Sequence, residues 1–306
     1  MSLLELHGGG PTSCGYHRID LPFGQLKVEP KVPVLVFNRY MQQGAGALVA
    51  KRRQGFKIVA DLDDFWDLPP EHYLAGAWNA SGTPAKIRAC LAAADVVLVT
   101  NVALADHVRA LNPNVVVVPN SLPFDEGQFT RATPGSETFV YAGGPSHVPD
   151  VAPSAEAFND PRVIFAGDDP KHPEWLKMRQ YAPRARYVAS RPVSAYMPAY
   201  DGHIAALAPL ADNPFNRCKS NLKMLEAGAK GLPLIASNMS PYANDTAAGN
   251  VLLAGSTAEW QAHLRFLRER PARAVELGEA LAAHVRRRYQ LRDANEIRRQ
   301  VLESFA

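Results

Sequence analysis

The chain has 306 residues, 47% hydrophobic and 21% charged, with a formal net charge of +3. That composition can bury a core and excludes disorder, collagen-like repeats and low-complexity classes, and the length allows one large domain or two medium ones. The charge is too small to prove a nucleic-acid partner, although it argues against a strongly acidic, phosphate-repelling surface.

In chain order, a short apolar start leads into Gly8, Gly9 and Gly10. Residues 32–37 form an apolar run bounded by Lys31 and Asn38, with Pro33 expected at the beginning of a strand because it cannot donate to a ladder. Similar runs follow at 57–60, 96–100 and 115–118, the pattern of strands buried on both faces of a parallel sheet. Between them, Ile87, Leu91 and Ala94 share one helical face, as do Leu104, Val108 and Leu111. Prolines and glycines make 119–136 a linker, and strand runs then resume at 138–142, 163–166, 186–188, 204–207 and 233–236. Beyond Ser256 the pattern is helical, with stripes of Trp260, Leu264 and Leu267, then Leu277, Leu281, Val285 and Tyr289. The alternation predicts two doubly wound, Rossmann-like domains, 1–128 and 129–306, with a ligand cleft beyond their strand ends and a helical tail on the second.

No apolar run reaches the ~18 residues of a membrane-spanning helix. Residues 1–10 lack the basic and apolar regions of a secretory signal. Cys14, Cys90 and Cys218 are far apart, odd in number and free of zinc-type spacing, so no disulfide framework is expected and the simplest compartment is a reducing cytoplasm.

The most informative stretch is 213–233. Pro214 and Asn216 suit a helix start, and Gly231 with Pro233 a stop. Lys219, Lys223 and Glu226 fall on one face, while Leu222, Leu225 and Ala229 fall on the neighbouring one. Helix-start N–H groups, two lysines and the Ser220 hydroxyl suit a diphosphate, and the Glu226 carboxylate suits ribose hydroxyls. An ordinary surface Lys–Glu pair produces the same spacing. Asp61, Asp63 and Asp64 end a strand run, where carboxylates bind a metal, activate a hydroxyl or simply form a polar turn.

On these residues the stretch resembles the donor-site segment of GT-B glycosyltransferases of the group-1 class. Glu226 matches the second glutamate of that class's E-x7-E motif, and Cys218 stands at the first. Phe215, Asn216, Lys219, Ser220, Lys223 and Glu226 match the FN-x-x-KS-x-x-K-x-x-E pattern of a phage-type branch. More weakly, Gly9 and Gly10 resemble the glycine-rich loop that approaches the donor phosphates. Gly144, Ser146 and His147 resemble the first loop of the C-terminal domain.

The resemblance implies a two-domain α/β fold with a nucleotide-sugar held by Gly9, Gly10, Gly144, Ser146, His147, Lys219, Ser220, Lys223 and Glu226. It implies a hexosyl or pentosyl transferase in which Asp63, Asp64 and Arg18 act at the reacting centre, with neither cofactor nor metal ion. The phage-type pattern makes a hydroxymethylated DNA base one candidate acceptor, to which Arg286, Arg287, Arg288, Arg292, Arg298 and Arg299 would add positive charge. A solvated helix face explains those arginines more simply. Polysaccharide, lipid and protein acceptors stay open, as does nucleotide-sugar binding without transfer.

Overall fold

The β-branched runs assemble into two parallel sheets in the computed structural model, which describes residues 3–10, 12–133, 135, 137–245 and 250–305. The first contains β1 (Leu4–His7), β2 (Val34–Asn38), β3 (Lys57–Leu62), β4 (Val96–Val99) and β5 (Val115–Val117), in the order β1-β2-β3-β4-β5. The second contains β6 (Phe139–Ala142), β7 (Val163–Asp168), β8 (Arg186–Ala189), β9 (Ala205–Ala208), β10 (Leu234–Ser237) and β11 (Val251–Ala254), in the order β11-β10-β9-β6-β7-β8. Pro33 lies just outside β2, where its carbonyl accepts from Lys57 N at 2.8 Å and no donor is missed.

The helices that connect β2 to β3, β3 to β4 and β4 to β5 lie on one face of the first sheet. There Leu35, Phe37, Ile58, Ala60, Val97 and Val99 meet Leu48, Ile87, Leu91, Leu104 and Val108 from the helices Ala45–Arg53, Thr83–Ala93 and Val102–Arg109. The opposite face presents Val34, Val36, Val59 and Leu98. It is covered by Ile19 and by the far end of the chain, Ala294 and Leu302 of the helix Leu291–Glu303, with Phe305 beyond it. The last helix of the tail therefore packs on the first sheet rather than on the second.

The second sheet winds both ways from β6, so apolar cores form on both faces. On one of them the helix Leu222–Lys230 packs against Pro271–Arg288. A Cβ at Gly228 would lie 2.5 Å from Val285 Cγ2, so glycine is what lets the two helices approach. Gly231 ends the first of them in the left-handed conformation, with φ +76°, as its position in the sequence predicts. The strand order reverses between β6 and β9, which places a crevice beyond the carboxyl ends of those strands. No described helix is long and apolar enough to cross a membrane.

Candidate functional site

A cleft of about 720 Å³ opens at that crevice, and the carboxyl-end loops of the first sheet form its opposite wall. From the first sheet come Cys14 and His17 beyond β1, Arg39 beyond β2, and Asp63 and Asp64 beyond β3. From the second come Gly144, Ser146 and His147 beyond β6, and Lys219, Ser220, Lys223 and Glu226.

The stretch 213–231 is not the single helix that its spacing predicts. Asn213 caps a first turn, Pro214–Arg217, its side-chain oxygen accepting from Asn216 N at 2.8 Å; a second helix begins at Leu222. The break is enforced from the first half of the molecule. Asn101 Nδ2 donates to the Cys218 and Lys219 carbonyls at 2.8 and 3.2 Å, taking acceptors that a continuous helix would use. Lys219 and Ser220 thus sit in the break, and Lys223 in the first turn of the second helix. Cys218, at the position of the first motif glutamate, is buried against core side chains of the first half, and burial with the Asp64 charge raises its thiol to about 11.

Lys219 Nζ lies 3.6 Å from Asp64 Oδ1 and 4.5 Å from the Phe215 ring centre, a cation–π distance. Lys223 Nζ donates to the Ala142 carbonyl and stands 5.1 Å from the centre of the Tyr141 ring. Burial lowers its pKa, and the neighbouring Lys219 charge adds to that. Glu226, only 4% exposed, accepts from Tyr196 Oη at 2.5 Å and Tyr200 Oη at 2.6 Å. Burial, reinforced by Glu226, pushes both phenols up, so they remain donors. Tyr196 Oη also meets His17 Nε2 at 3.1 Å, and burial lowers His17 to about 3 against the pull of Asp63, leaving the ring neutral.

His147 Nδ1 is 2.7 Å from Asp150 Oδ2, and burial outweighs that partner and lowers the imidazole pKa. Burial alone would raise Asp150. The His147 hydrogen bond and charge, with the Ala211 N–H, bring it below the usual carboxylate range. A neutral His147 therefore donates Nδ1–H to Asp150 and keeps Nε2 as an acceptor.

Opposite the lysines, Arg39 lies among three acidic or sulfur groups. Its Nε is 3.2 Å from Asp63 Oδ1, and its Nη2 is 2.9 Å from Asp64 Oδ2 and 2.7 Å from Cys14 Sγ. Arg39 holds φ +64°, a conformation unusual for a side chain larger than glycine. Burial raises the Cys14 thiol, and Asp63 adds to the shift. For Asp63, burial would raise the pKa, but Arg39, Cys14 and Arg18 hold it below its ordinary value. The ligand atoms of Cys14, Asp63 and Asp64 lie within 4.8 Å of one another, which is compact enough for a cation. The Arg39 guanidinium supplies the positive charge there. Nothing in the sequence marks Arg39 beyond its place after a strand.

Other predicted site residues lie elsewhere. Arg18 is fully buried outside the cleft lining, with its guanidinium on Asp61, Val118 and Asn120. Gly9 and Gly10 also lie outside that lining. A Cβ on Gly9 would stand 2.1 Å from Asp20 Oδ1, and Gly10 N donates to Asp20 Oδ2 at 2.8 Å. They shape the turn that delivers Thr12, Ser13 and Cys14 to the cleft. Most arginines of the tail are buried or paired, with Arg287 exposed. Arg298 is 1% exposed and is lowered to about 9, by burial and then by Arg18. Arg286 is paired with Asp125, Arg288 with Asp245, Arg292 with Asp293, and Arg299 with Glu296 and Glu303.

No known family pattern and no curated protein sequence matches the chain. Solved structures do match its architecture. Sucrose-phosphate synthase from Thermosynechococcus elongatus has 15% identity and a TM-score of 0.67 over 88% of this chain and 73% of that one. HepE from Anabaena, solved with UDP-glucose, has 16% identity and a TM-score of 0.59 over 88% of this chain and 78% of its own. A mutant of S. aureus TarM, solved with fondaparinux, alpha-GlcNAc-glycerol and UDP, has 10% identity and a TM-score of 0.63 over 89% of this chain, which spans 55% of that protein. The fold is the two-domain GT-B arrangement.

Proposed function

We propose that the chain is a glycosyltransferase that takes a sugar from a nucleoside-diphosphate donor and passes it to a hydroxyl. Residues 1–128 supply the acceptor side and 129–306 the donor side. The observation that carries this reading is the convergence of Lys219, Ser220, Lys223 and Glu226 on the crevice of the second sheet, facing Arg39, Asp63 and Asp64 across one cleft. UDP is the first donor nucleotide to test, because HepE structures hold UDP and UDP-glucose and the Burkholderia xenovorans neighbour is described as UDP-forming.

In this reading the leaving diphosphate gains negative charge as the glycosidic bond breaks. Lys219, Lys223 and the Ser220 hydroxyl stabilise it, with the start of the helix Leu222–Lys230 adding its positive dipole end. A bound dianion also relieves the crowding of Lys223 by Lys219. Glu226 has lone pairs beyond those taken by the two tyrosines and accepts from ribose hydroxyls. Neutral His147 offers Nε2 to a sugar hydroxyl, and Gly144 and Ser146 close the loop beside it. Asp63 and Asp64 orient the attacking hydroxyl, their charge partly offset by Arg39.

A DNA acceptor draws no support from the tail, whose arginines are mostly buried or paired. The hydroxyl proposed is one that enters the cleft beside the donor.

The test titrates UDP, GDP and ADP into the protein and follows slow hydrolysis of the matching nucleotide-sugars, with water as the acceptor. One nucleotide binds, its sugar is released, and Glu226→Ala weakens binding about tenfold. Binding without any turnover would favour the carrier reading. Unchanged affinity in the variant would remove Glu226 from the site.

A further inference from the structure

We propose that Asn120, locked in one orientation by Arg18, directs the Ser220 hydroxyl so that its proton is offered to the donor diphosphate. The inference rests on the donor-site reading above.

Asp61, at the end of β3, is fully buried and takes Arg18 Nε at 2.8 Å and Nη2 at 2.9 Å. Arg18 Nη1 donates to the Val118 carbonyl at 2.9 Å and to the Asn120 side chain at 3.0 Å. A guanidinium only donates, so the Asn120 atom facing it must be the amide oxygen. The amide nitrogen is then the atom turned toward Ser220 Oγ, 2.8 Å away. An amide nitrogen also only donates. Ser220 Oγ is therefore the acceptor in this bond, and its single proton points away from Asn120. Ser220 lines the cleft beside Lys219 and Lys223.

The polarity matters because a serine hydroxyl beside a phosphate is useful only as a donor. With the amide reversed, Ser220 would give its proton to Asn120 and turn a lone pair toward an anion. Arg18 is 0% exposed and Asn120, which also lines the cleft, only 5%, so little water competes for these bonds. Asn120 is a positioning residue acting through Ser220, and Arg18 acts one bond further back. The chain of bonds also crosses the molecule, from the first sheet to the start of the donor helix.

Asn120→Asp is nearly isosteric. It keeps an oxygen for Arg18 but presents a second oxygen to Ser220, which must then donate to it. Calorimetry with UDP and with uridine reads the effect. Asn120→Asp and Ser220→Ala each weaken UDP binding about tenfold, Ser220→Thr retains it, and uridine affinity moves less than about twofold in all of them. With alanine at 220, Asn120→Asp costs less than about threefold, because the proton it would capture is gone. An equal cost in both backgrounds would reduce Asn120→Asp to a charge effect and overturn the proposal. So would wild-type UDP affinity in Ser220→Ala, a result that holds even if Asn120→Asp fails to fold. A wild-type protein that binds none of UDP, GDP and ADP removes the donor reading itself, and this inference with it.

Discussion

The two parallel sheets are wound differently, and the winding separates their tasks. The second reverses direction between β6 and β9, so two neighbouring strands send their chains to opposite faces and leave a crevice. The donor residues gather there. The first sheet runs β1 to β5 without reversal. Its contribution to the cleft comes mainly from loops beyond β1, β2 and β3, stiffened by buried charge at Arg18 and Asp61 and by the Arg39 cluster. One half owes its binding place to topology, while the other owes it to ion pairs.

The strongest way to break that contrast is to remove a buried charge from the first half. Arg18→Ala leaves Asp61 unpaired in the core and should cost about 3–5 kcal/mol in urea unfolding. Loss of activity at unchanged stability would instead put Arg18 at the reacting centre. The matching change in the second half is the double variant Lys219→Ala, Lys223→Ala. It should cost about 2.7–4 kcal/mol in the transition state, or roughly 100–1,000-fold in turnover, with a small shift in melting temperature. Wild-type turnover with slightly lower stability would reduce the two lysines to surface chemistry.

His17 sharpens the comparison, because it stands on one half and hydrogen-bonds to Tyr196 on the other. Its folded pKa is about 3, below the ordinary value of 6.5, so the unfolded chain takes the proton first. Its neutral, buried state therefore costs no stability above pH 6.5 and progressively more as pH falls toward 3. The slope is about 1.4 kcal/mol per pH unit, and His17→Gln should flatten it in urea melts from pH 7 to 4. An unchanged slope would mean that the ring is solvated. The smallest expected effect is none at all: EDTA leaves turnover unchanged, because Arg39 and Lys219 together supply two positive charges beside Asp63 and Asp64. Loss of activity restored by Mn²⁺ would assign that cluster to a metal.

Much of this architecture was legible because continuous apolar runs have few alternatives to a buried parallel strand. Nine such runs became β2 to β10, with ends displaced by only a residue or two. The strands β1 and β11 escaped; in β1, Glu5 and His7 break up the apolar run. Lys223, Glu226 and the loop holding Gly144, Ser146 and His147 were legible by spacing and by their place after a strand. The break at Lys219 was not, because Asn101 imposes it from more than a hundred residues away. Arg39, Asn120, Tyr196 and Tyr200 carry no local signal either. Their roles come from partners that only the fold brings near, and the same is true of the burial of Arg18.

The helix Leu291–Glu303, laid across the bare face of the first sheet, has a consequence for biosynthesis. Strands β1 to β5 leave the ribosome early, yet Val34, Val36, Val59 and Leu98 have no complete cover until the last helix emerges. The half translated first is the half that closes last. Until that helix is made, the nascent first sheet carries a partly bare apolar face, the kind of transiently exposed surface that makes folding intermediates prone to aggregate. A fragment cut between the halves would carry that apolar face into solution.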